Sequence, residues 1–249
     1  MIVFLILLLN LLVGACVGLT GIAGFLLPMF YTGFLGLRAS EALALSFSAF
    51  LISGILGSIN YFRAGNLDLH SGLILSAGSL IGAVFGVRIN LLIPEHIVQM
   101  ILYLVVLISG ISILLRRDAP SKVTHKKRTG SKINLLYVLL GIITGSICAA
   151  SGAGGPVLVM PLLTVIGFPV HTAVGVALFN SIFIALVAAS GYLLNASFTH
   201  ELWLLFPWIL IVHGIGVLYG SKNAARINQK VLKRIVAVAS ILIALFKLL

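Results

Sequence analysis

Apolar residues run along this chain in long blocks, not in the strict alternation of strands or the narrow stripe of a soluble amphipathic helix. The blocks fall at 2–18, 25–36, 41–61, 69–91, 96–115, 133–150, 156–166, 171–194, 201–221 and 230–248. A helix needs about 20 apolar residues to cross about 30 Å of hydrocarbon. Blocks 25–36 and 156–166 are too short for that, and 2–18 and 133–150 are marginal. From Ile133 to His200 there is no Asp, Glu, Lys or Arg. Yet Ser151, Gly152, Gly154, Gly155 and Pro156 fall together inside that stretch, where they predict a break in the helix.

The short blocks occupy matching places in two halves. "GACVGLTGIAGFLLP" (14–28) parallels "GIITGSICAASGAGGPVLVMP" (141–161), each with glycines four apart, a polar residue, Gly-x-small-Gly and a proline. "LRASEALALSFS" (37–48) parallels "FPVHTAVGVALF" (168–179), and "GAVFGVR" (82–88) parallels "GVLYGSK" (216–222). The order recurs at a spacing of about 130 residues, which implies an internal duplication. The organisation read from this is a first transmembrane repeat over 1–115, a basic linker over 116–132 and a second repeat over 133–249. Short, glycine-interrupted apolar segments in corresponding positions of two halves point to a secondary transporter.

Charge supports the membrane reading and orients it. Only 8% of the 249 residues are charged and the mean hydropathy is +1.23, against about 25% charged in a soluble domain. The net charge of +11 does not indicate a nucleic-acid partner, because twelve of the sixteen basic residues fall in two loops. Arg116, Arg117, Lys122, Lys126, Lys127, Arg128 and Lys132 form one; Lys222, Arg226, Lys230, Lys233 and Arg234 form the other. Both belong on the cytoplasmic side. If 133–166 crossed once, three crossings would separate the two loops and put one of them outside. If 133–150 and 156–166 instead form a re-entrant hairpin, both loops are cytoplasmic. The expected fold is therefore an all-α polytopic membrane protein. It has two inverted repeats, each a broken or re-entrant helical hairpin plus three full transmembrane helices; eight plain spans are the alternative. "MIVFLILLLNLLVGAC" imitates a signal peptide but lacks a basic start and runs on past Cys16, so it reads as a retained membrane segment. Cys16 and Cys148 both lie in apolar stretches and read as buried small hydrophobes.

Broken backbone at membrane depth is tolerated only where it is buried in protein or lines a wet cavity. A break also exposes the N-terminus of the following half-helix, whose free N–H groups and partial positive charge suit an anion. Near Gly155, Pro156 would take the first helical position, where proline is favoured. Gly152, Gly154 and Gly155 let an anion approach the backbone, and Ser151 adds a hydroxyl. Thr20, Gly21, Ala23 and Gly24 would act likewise in the first half. Two such ends meeting near the midplane would make a neutral seat for a small oxyanion. The Gly-x-x-x-Gly pairs Gly14/Gly18, Gly82/Gly86 and Gly216/Gly220 read instead as close-packing positions.

"SGAGGPVLVMPLL", its counterpart "TGIAGFLLPMF" and the Gly-x-x-x-Gly-x-base elements resemble the TauE/SafE sulfite-exporter family of membrane permeases, over about residues 4–245. Ala23 departs from the pattern, standing where the family often has glycine. The resemblance implies export of small sulfur-containing or organic anions such as sulfite, sulfoacetate and other sulfonates, from a bacterial or archaeal cell membrane.

Further polar residues are candidates for the path. Asn180 and Ser181 lie well inside 171–194, and Ser46 and Ser48 occupy the comparable region of the first half. Asn60 and Ser53 read as packing residues. His213 sits mid-span and is a candidate for a proton or substrate role. Of the five acids, Glu41, Asp68, Glu95, Asp118 and Glu201, none falls clearly at mid-membrane. Glu41, beside the first hairpin, is the one candidate relay acid, with a helix N-terminal role as the alternative. Arg88 and Lys222 end matching segments and read as snorkelling anchors, or as groups that draw anions toward the path, as Arg63 would. A cation carrier would want acids within the membrane, and a membrane enzyme a grouped nucleophile, base or metal set; neither is visible. No cofactor is expected, and the expected partners are a small anion and the bilayer, with a homo-oligomer left open. The runner-up is a non-transporting membrane subunit of a larger complex.

Overall fold

The computed structural model describes residues 2–94 apart from Ile22, residues 131–224, and scattered positions between 96 and 111 and between 238 and 245. Most of segments 96–115 and 230–248, and residues 116–130 of the linker, lie outside the described residues.

Every regular element among the described residues is helical. In chain order they are α1 (Ile2–Thr20), a 3-10 turn (Ala23–Phe25), α2 (Leu26–Gly33), α3 (Ala39–Arg63) and α4 (Leu69–Leu92). After the linker come α5 (Ser131–Ser151), α6 (Gly155–Ile166), α7 (Val170–Leu193) and α8 (His200–Asn223). Six of these, α1, α3, α4, α5, α7 and α8, are long and apolar enough to cross a bilayer. The chain is a multi-pass protein of the plasma membrane.

Two of these helices exceed the sequence expectation. The marginal segments 2–18 and 133–150 form helices of 19 and 21 residues. Their C-terminal polar residues stay helical because each hydroxyl bonds back one turn: Thr20 Oγ1 donates to Cys16 O at 2.9 Å and Ser151 Oγ to Ile147 O at 2.7 Å. Helix starts are set by side chains. Asp68 accepts from the His70 and Ser71 amides at the start of α4, and Thr199 from the Leu202 amide at the start of α8.

Contacts between helices fix their directions. On α3 and α8, Ser53 meets His213 and Asn60 meets Ser221, so the two run parallel. On α1 and α8, the Cβ that Gly216 lacks would meet Leu11 O, and that of Gly220 would meet Ala15 O, again in parallel register. Gly78, Gly82 and Gly86 of α4 face Val138, Ile142 and Ser146 of α5, also parallel. On α3 and α7, Gly54 meets Ser181 and Ile182 while Gly57 meets Leu178, so this central pair is antiparallel. Among the described residues, two units of four helices therefore lie against one another, with α1 seated on α8 and α5 on α4. These registers also bring the C-terminal ends of α3 and α8 and the N-terminal end of α5 to one face, so Arg63 and Lys222 stand where the basic linker joins.

The α1–α8 and α4–α5 seams depend on glycine. At Gly14, Gly18, Gly82, Gly86, Gly141, Gly145, Gly216 and Gly220 the position of a Cβ is occupied by a carbonyl or backbone atom of the facing helix. In lipid, such backbone approach replaces the hydrophobic drive that water supplies to soluble proteins. The large exposed residues, among them Leu12, Phe85, Leu139, Ile143, Trp208 and Ile215, form the apolar outer surface.

Candidate functional site

Both short helices fold back on the long ones that precede them. At the start of α5, the Tyr137 ring sits 6.2 Å from that of Phe168, just past the end of α6. In the first half, Asn10 of α1 bonds Tyr31 of α2. Each unit thus begins with a hairpin made of one long and one short helix.

The two turns are alike at one position and different at another. Gly21 (φ 72°) and Gly152 (φ 73°) carry the left-handed backbone that ends each long helix. Two residues on, Gly154 takes φ 79° and ψ 141° and caps α6, with proline in its first turn. Its counterpart Ala23 cannot adopt that backbone without strain and instead starts a 3-10 turn. The first break is therefore the tighter one. The breaks touch: the Cβ that Gly21 lacks would lie 3.2 Å from Pro156 Cβ, and Gly152 abuts Leu43 and Pro28.

Contacts repeat at a constant spacing. Tyr61 Oη donates to the carbonyls of Gly18 and Leu19 at 3.2 Å, and Tyr192 Oη to that of Ala149 at 2.8 Å. Tyr192 follows Tyr61, and Ala149 follows Gly18, by the same 131 residues. Gly24 meets Phe50 of α3, and, 131 residues later in both partners, Gly155 meets Ser181 of α7. Phe50 and Ser181 are near the midpoints of α3 and α7. The N-termini of both short helices are consequently level with the middle of the bundle.

The second break exposes backbone donors. The Val157 amide reaches Gly154 O at 3.3 Å and the Ala153 amide reaches Ser151 Oγ at 3.3 Å. Among the described residues the amides of Gly154 and Gly155 have no acceptor. Ser151, Gly152, Gly154 and Gly155 are all buried. The hydroxyl proton of Ser151 is spent on Ile147 O and its oxygen on Ala153, so this serine holds the break's shape in the present state. Thr20 closes the first break, where Gly21 and Gly24 are likewise buried.

Asn180 is fully buried, and neither its Nδ2 nor its Oδ1 has a hydrogen-bond partner among the described residues. It precedes Ser181 and lies one turn before Ile184, and both of those touch the Gly155 position. Ser181 itself donates to Leu178 O at 2.7 Å. Ser46 and Ser48 donate to Ala42 O and Ala44 O and join no contact to a break.

His213 and Glu41 sit elsewhere. Fully buried, His213 makes two bonds: Nε2 to Ser53 Oγ at 2.6 Å and Nδ1 to Asn10 O at 3.2 Å. A carbonyl only accepts, so the ring proton is assigned to Nδ1, and Nε2 accepts from Ser53. Histidine thereby ties α1, α3 and α8 together. In the other unit Ser79 Oγ donates to Gly141 O at 3.2 Å, the counterpart of the Nδ1 bond. Glu41 accepts the Arg38 amide at 3.1 Å at the first turn of α3, the helix N-terminal role. It is nine residues from Phe50 along the helix, or roughly 13 Å at 1.5 Å per residue.

Sequence reasoning overlooked Phe50, whose ring lies between Gly24 and Gly154, and the Tyr61/Tyr192 braces. The tyrosines carried a signal, because they recur at the spacing of the duplicated glycine motifs.

Comparison with known proteins agrees with this architecture. The family model described as "Sulfite exporter TauE/SafE" matches residues 6–246. The chain is 27% identical over 244 residues to the probable membrane transporter protein YjnA of Bacillus subtilis, covering 93% of this chain and 94% of that one. It is 23% identical over 232 residues to the probable membrane transporter protein YdhB of the same organism, covering 92% and 93%. A probable membrane transporter protein of Methanocaldococcus jannaschii, MJ0441, is 26% identical over 249 residues, covering 92% and 89%. No solved structure matches the chain.

Proposed function

The chain belongs to the sulfite exporter TauE/SafE family of membrane transporters, and on that premise we propose that it exports small sulfur oxyanions or sulfonates, such as sulfite or sulfoacetate, bound at the paired helix breaks. The observation that carries this reading is the second break: buried, level with the bundle's middle, its Gly154 and Gly155 amides without an acceptor among the described residues, and packed on Ser181, the neighbour in sequence of Asn180, whose amide likewise has no partner among them. Free amides at a helix N-terminus attract an anion, and Asn180 Nδ2 adds a neutral donor. Oxygen atoms of a sulfite or sulfonate would accept from these groups, and the Asn180 carbonyl would turn toward a bound proton or water.

Charge favours the same class. The described acids Glu41, Asp68 and Glu201 all stand in or beside the first turn of a helix, so none of them is at the mid-helix level of the Phe50 and Ser181 contacts. Net outward movement needs no proton relay, since an inside-negative potential drives anions out. The opposed directions of the two hairpins support an inverted repeat, in which rocking of one unit against the other would open the seat to each side in turn.

Binding to purified protein tests the seat. Isothermal titration with sulfoacetate should give saturable heat that competes with sulfite and disappears in Gly154→Val. Binding of sulfoacetate unaltered by Gly154→Val would place the anion elsewhere and sink the assignment.

A further inference from the structure

Phe50 is nearly fully buried, and its ring lies between the two breaks. A Cβ on Gly24 would fall 2.9 Å from its Cε1, and one on Gly154 would fall 3.3 Å from its Cε2. Opposite edges of one ring thus press against both breaks, and each break has glycine at the point of contact. Any side chain at either position would displace the ring. The ring packs on the side-chain face of Gly154, whose amide has no acceptor among the described residues, so it stands next to backbone that an anion would use.

The duplicated unit makes this placement asymmetric. By the 131-residue spacing the position equivalent to Phe50 is Ser181, and the equivalent contact is Gly155 on Ser181. A Cβ on Gly155 would fall 3.0 Å from Ser181 Cβ and 3.1 Å from its Cα, so there the helix itself closes on the break, where at Gly24 a phenyl ring does so. Phe50 is flanked on its own helix by Phe47, edge to face at 5.5 Å, and Phe47 stacks on Tyr192 at 5.8 Å. This aromatic column leads from the ring to the brace of the second break, since Tyr192 donates to Ala149 O.

Resting on the anion-seat reading above, we propose that Phe50 is the gate of that seat: its ring occupies the space between the breaks in the closed state, and its displacement admits the substrate. The ring also sets specificity by size, because the volume it vacates is what the anion's non-coordinating part must fill.

The test uses full-length protein in lipid vesicles with Cys16→Ala and Cys148→Ala as background and Ala153→Cys as reporter. A small anionic methanethiosulfonate reagent reads access to the break. The expected labelling rate rises about ten-fold or more in Phe50→Ala, the phenyl packing being lost, stays near the parent value in Phe50→Leu and falls in Phe50→Trp. Rates that agree within about two-fold across folded variants overturn the gate, as does faster labelling in Phe50→Trp. Melting temperature and elution profile confirm folding, and the fall in Phe50→Trp carries the test if Phe50→Ala does not fold. Protection of the reporter by sulfoacetate is scored separately in Phe50→Ala. Rate changes without protection keep the gate and refute the anion, while protection with no rate change does the reverse.

Discussion

Two fully buried asparagines, Asn10 and Asn180, should respond in opposite ways to the same substitution. Asn10 and Asn180 are both fully buried in helices that pack inside the bundle. Asn10 is satisfied: Nδ2 donates to Ile6 O and to Tyr31 Oη at 2.8 Å, and Oδ1 accepts from Tyr31 at 3.1 Å. Neither amide atom of Asn180 has a partner among the described residues. Leucine keeps the branched outline of asparagine but is bulkier, so Asn→Leu removes the amide with an overpacking cost at both sites. At position 180 it removes buried polar groups that cost about 1–3 kcal/mol when unpaired. At position 10 it strands the Tyr31 hydroxyl, a loss of about 1–3 kcal/mol. For a chain of this size about 2–4 °C follows each kcal/mol. Those ranges span roughly 2–12 °C, so Asn180→Leu should melt higher by up to that amount, less the overpacking cost, and Asn10→Leu lower by that amount or more. Thermal unfolding of detergent-solubilised protein, followed by intrinsic fluorescence, measures both. Asn180→Leu should also transport far less than wild type, stability and function moving in opposite directions as expected of a binding group. A melting temperature for Asn180→Leu as low as that of Asn10→Leu would mean that the amide is already paired and would remove it from the seat.

Other consequences are direct. Gly82→Leu or Gly216→Leu forces the α4–α5 or α1–α8 seam apart, since carbonyl oxygens occupy the side-chain position; folded yield on size-exclusion chromatography should collapse. Tyr61→Phe and Tyr192→Phe each remove hydrogen bonds to a helix end, about 1 kcal/mol apiece, and the double variant should show their sum in denaturant titration if the two braces act independently. His213→Phe leaves the Ser53 hydroxyl and Asn10 carbonyl without their present partner, a loss of about 1–3 kcal/mol. Its flux per folded molecule should keep the wild-type pH profile, whereas a changed profile would restore the proton role to this histidine.

Much of the architecture was legible because membrane helices announce themselves by length and composition. Glycine spacing marked the helix seams correctly, since backbone contact tolerates nothing larger at Gly82 or Gly216. The breaks were legible for the same reason: Gly152 and Gly154 need positive φ. The lengths of α1 and α5 were underestimated, because Thr20 and Ser151 read as breakers although each bonds back into its own helix. Phe50 was invisible for a different reason. A phenylalanine in an apolar run carries no periodic signal, and only the fold brings Gly24 and Gly154 to its two edges. His213 looked functional by being ionisable and mid-span, and only its two bonds disclose the bracing role. Glu41 shows the converse, its alternative as a helix N-terminal group being visible from Ser40 onward.

Anion flux in proteoliposomes tests the central claim most directly. Vesicles loaded with sulfite or sulfoacetate, or with acetate for comparison, are given a potential negative inside, and efflux is compared for wild type, Gly154→Val and Asn180→Leu. The account predicts potential-driven efflux of the sulfur anions from wild type and its loss in both variants while they remain folded. Equal efflux from all three proteins, or none from folded wild type at any imposed potential or pH gradient, would contradict it.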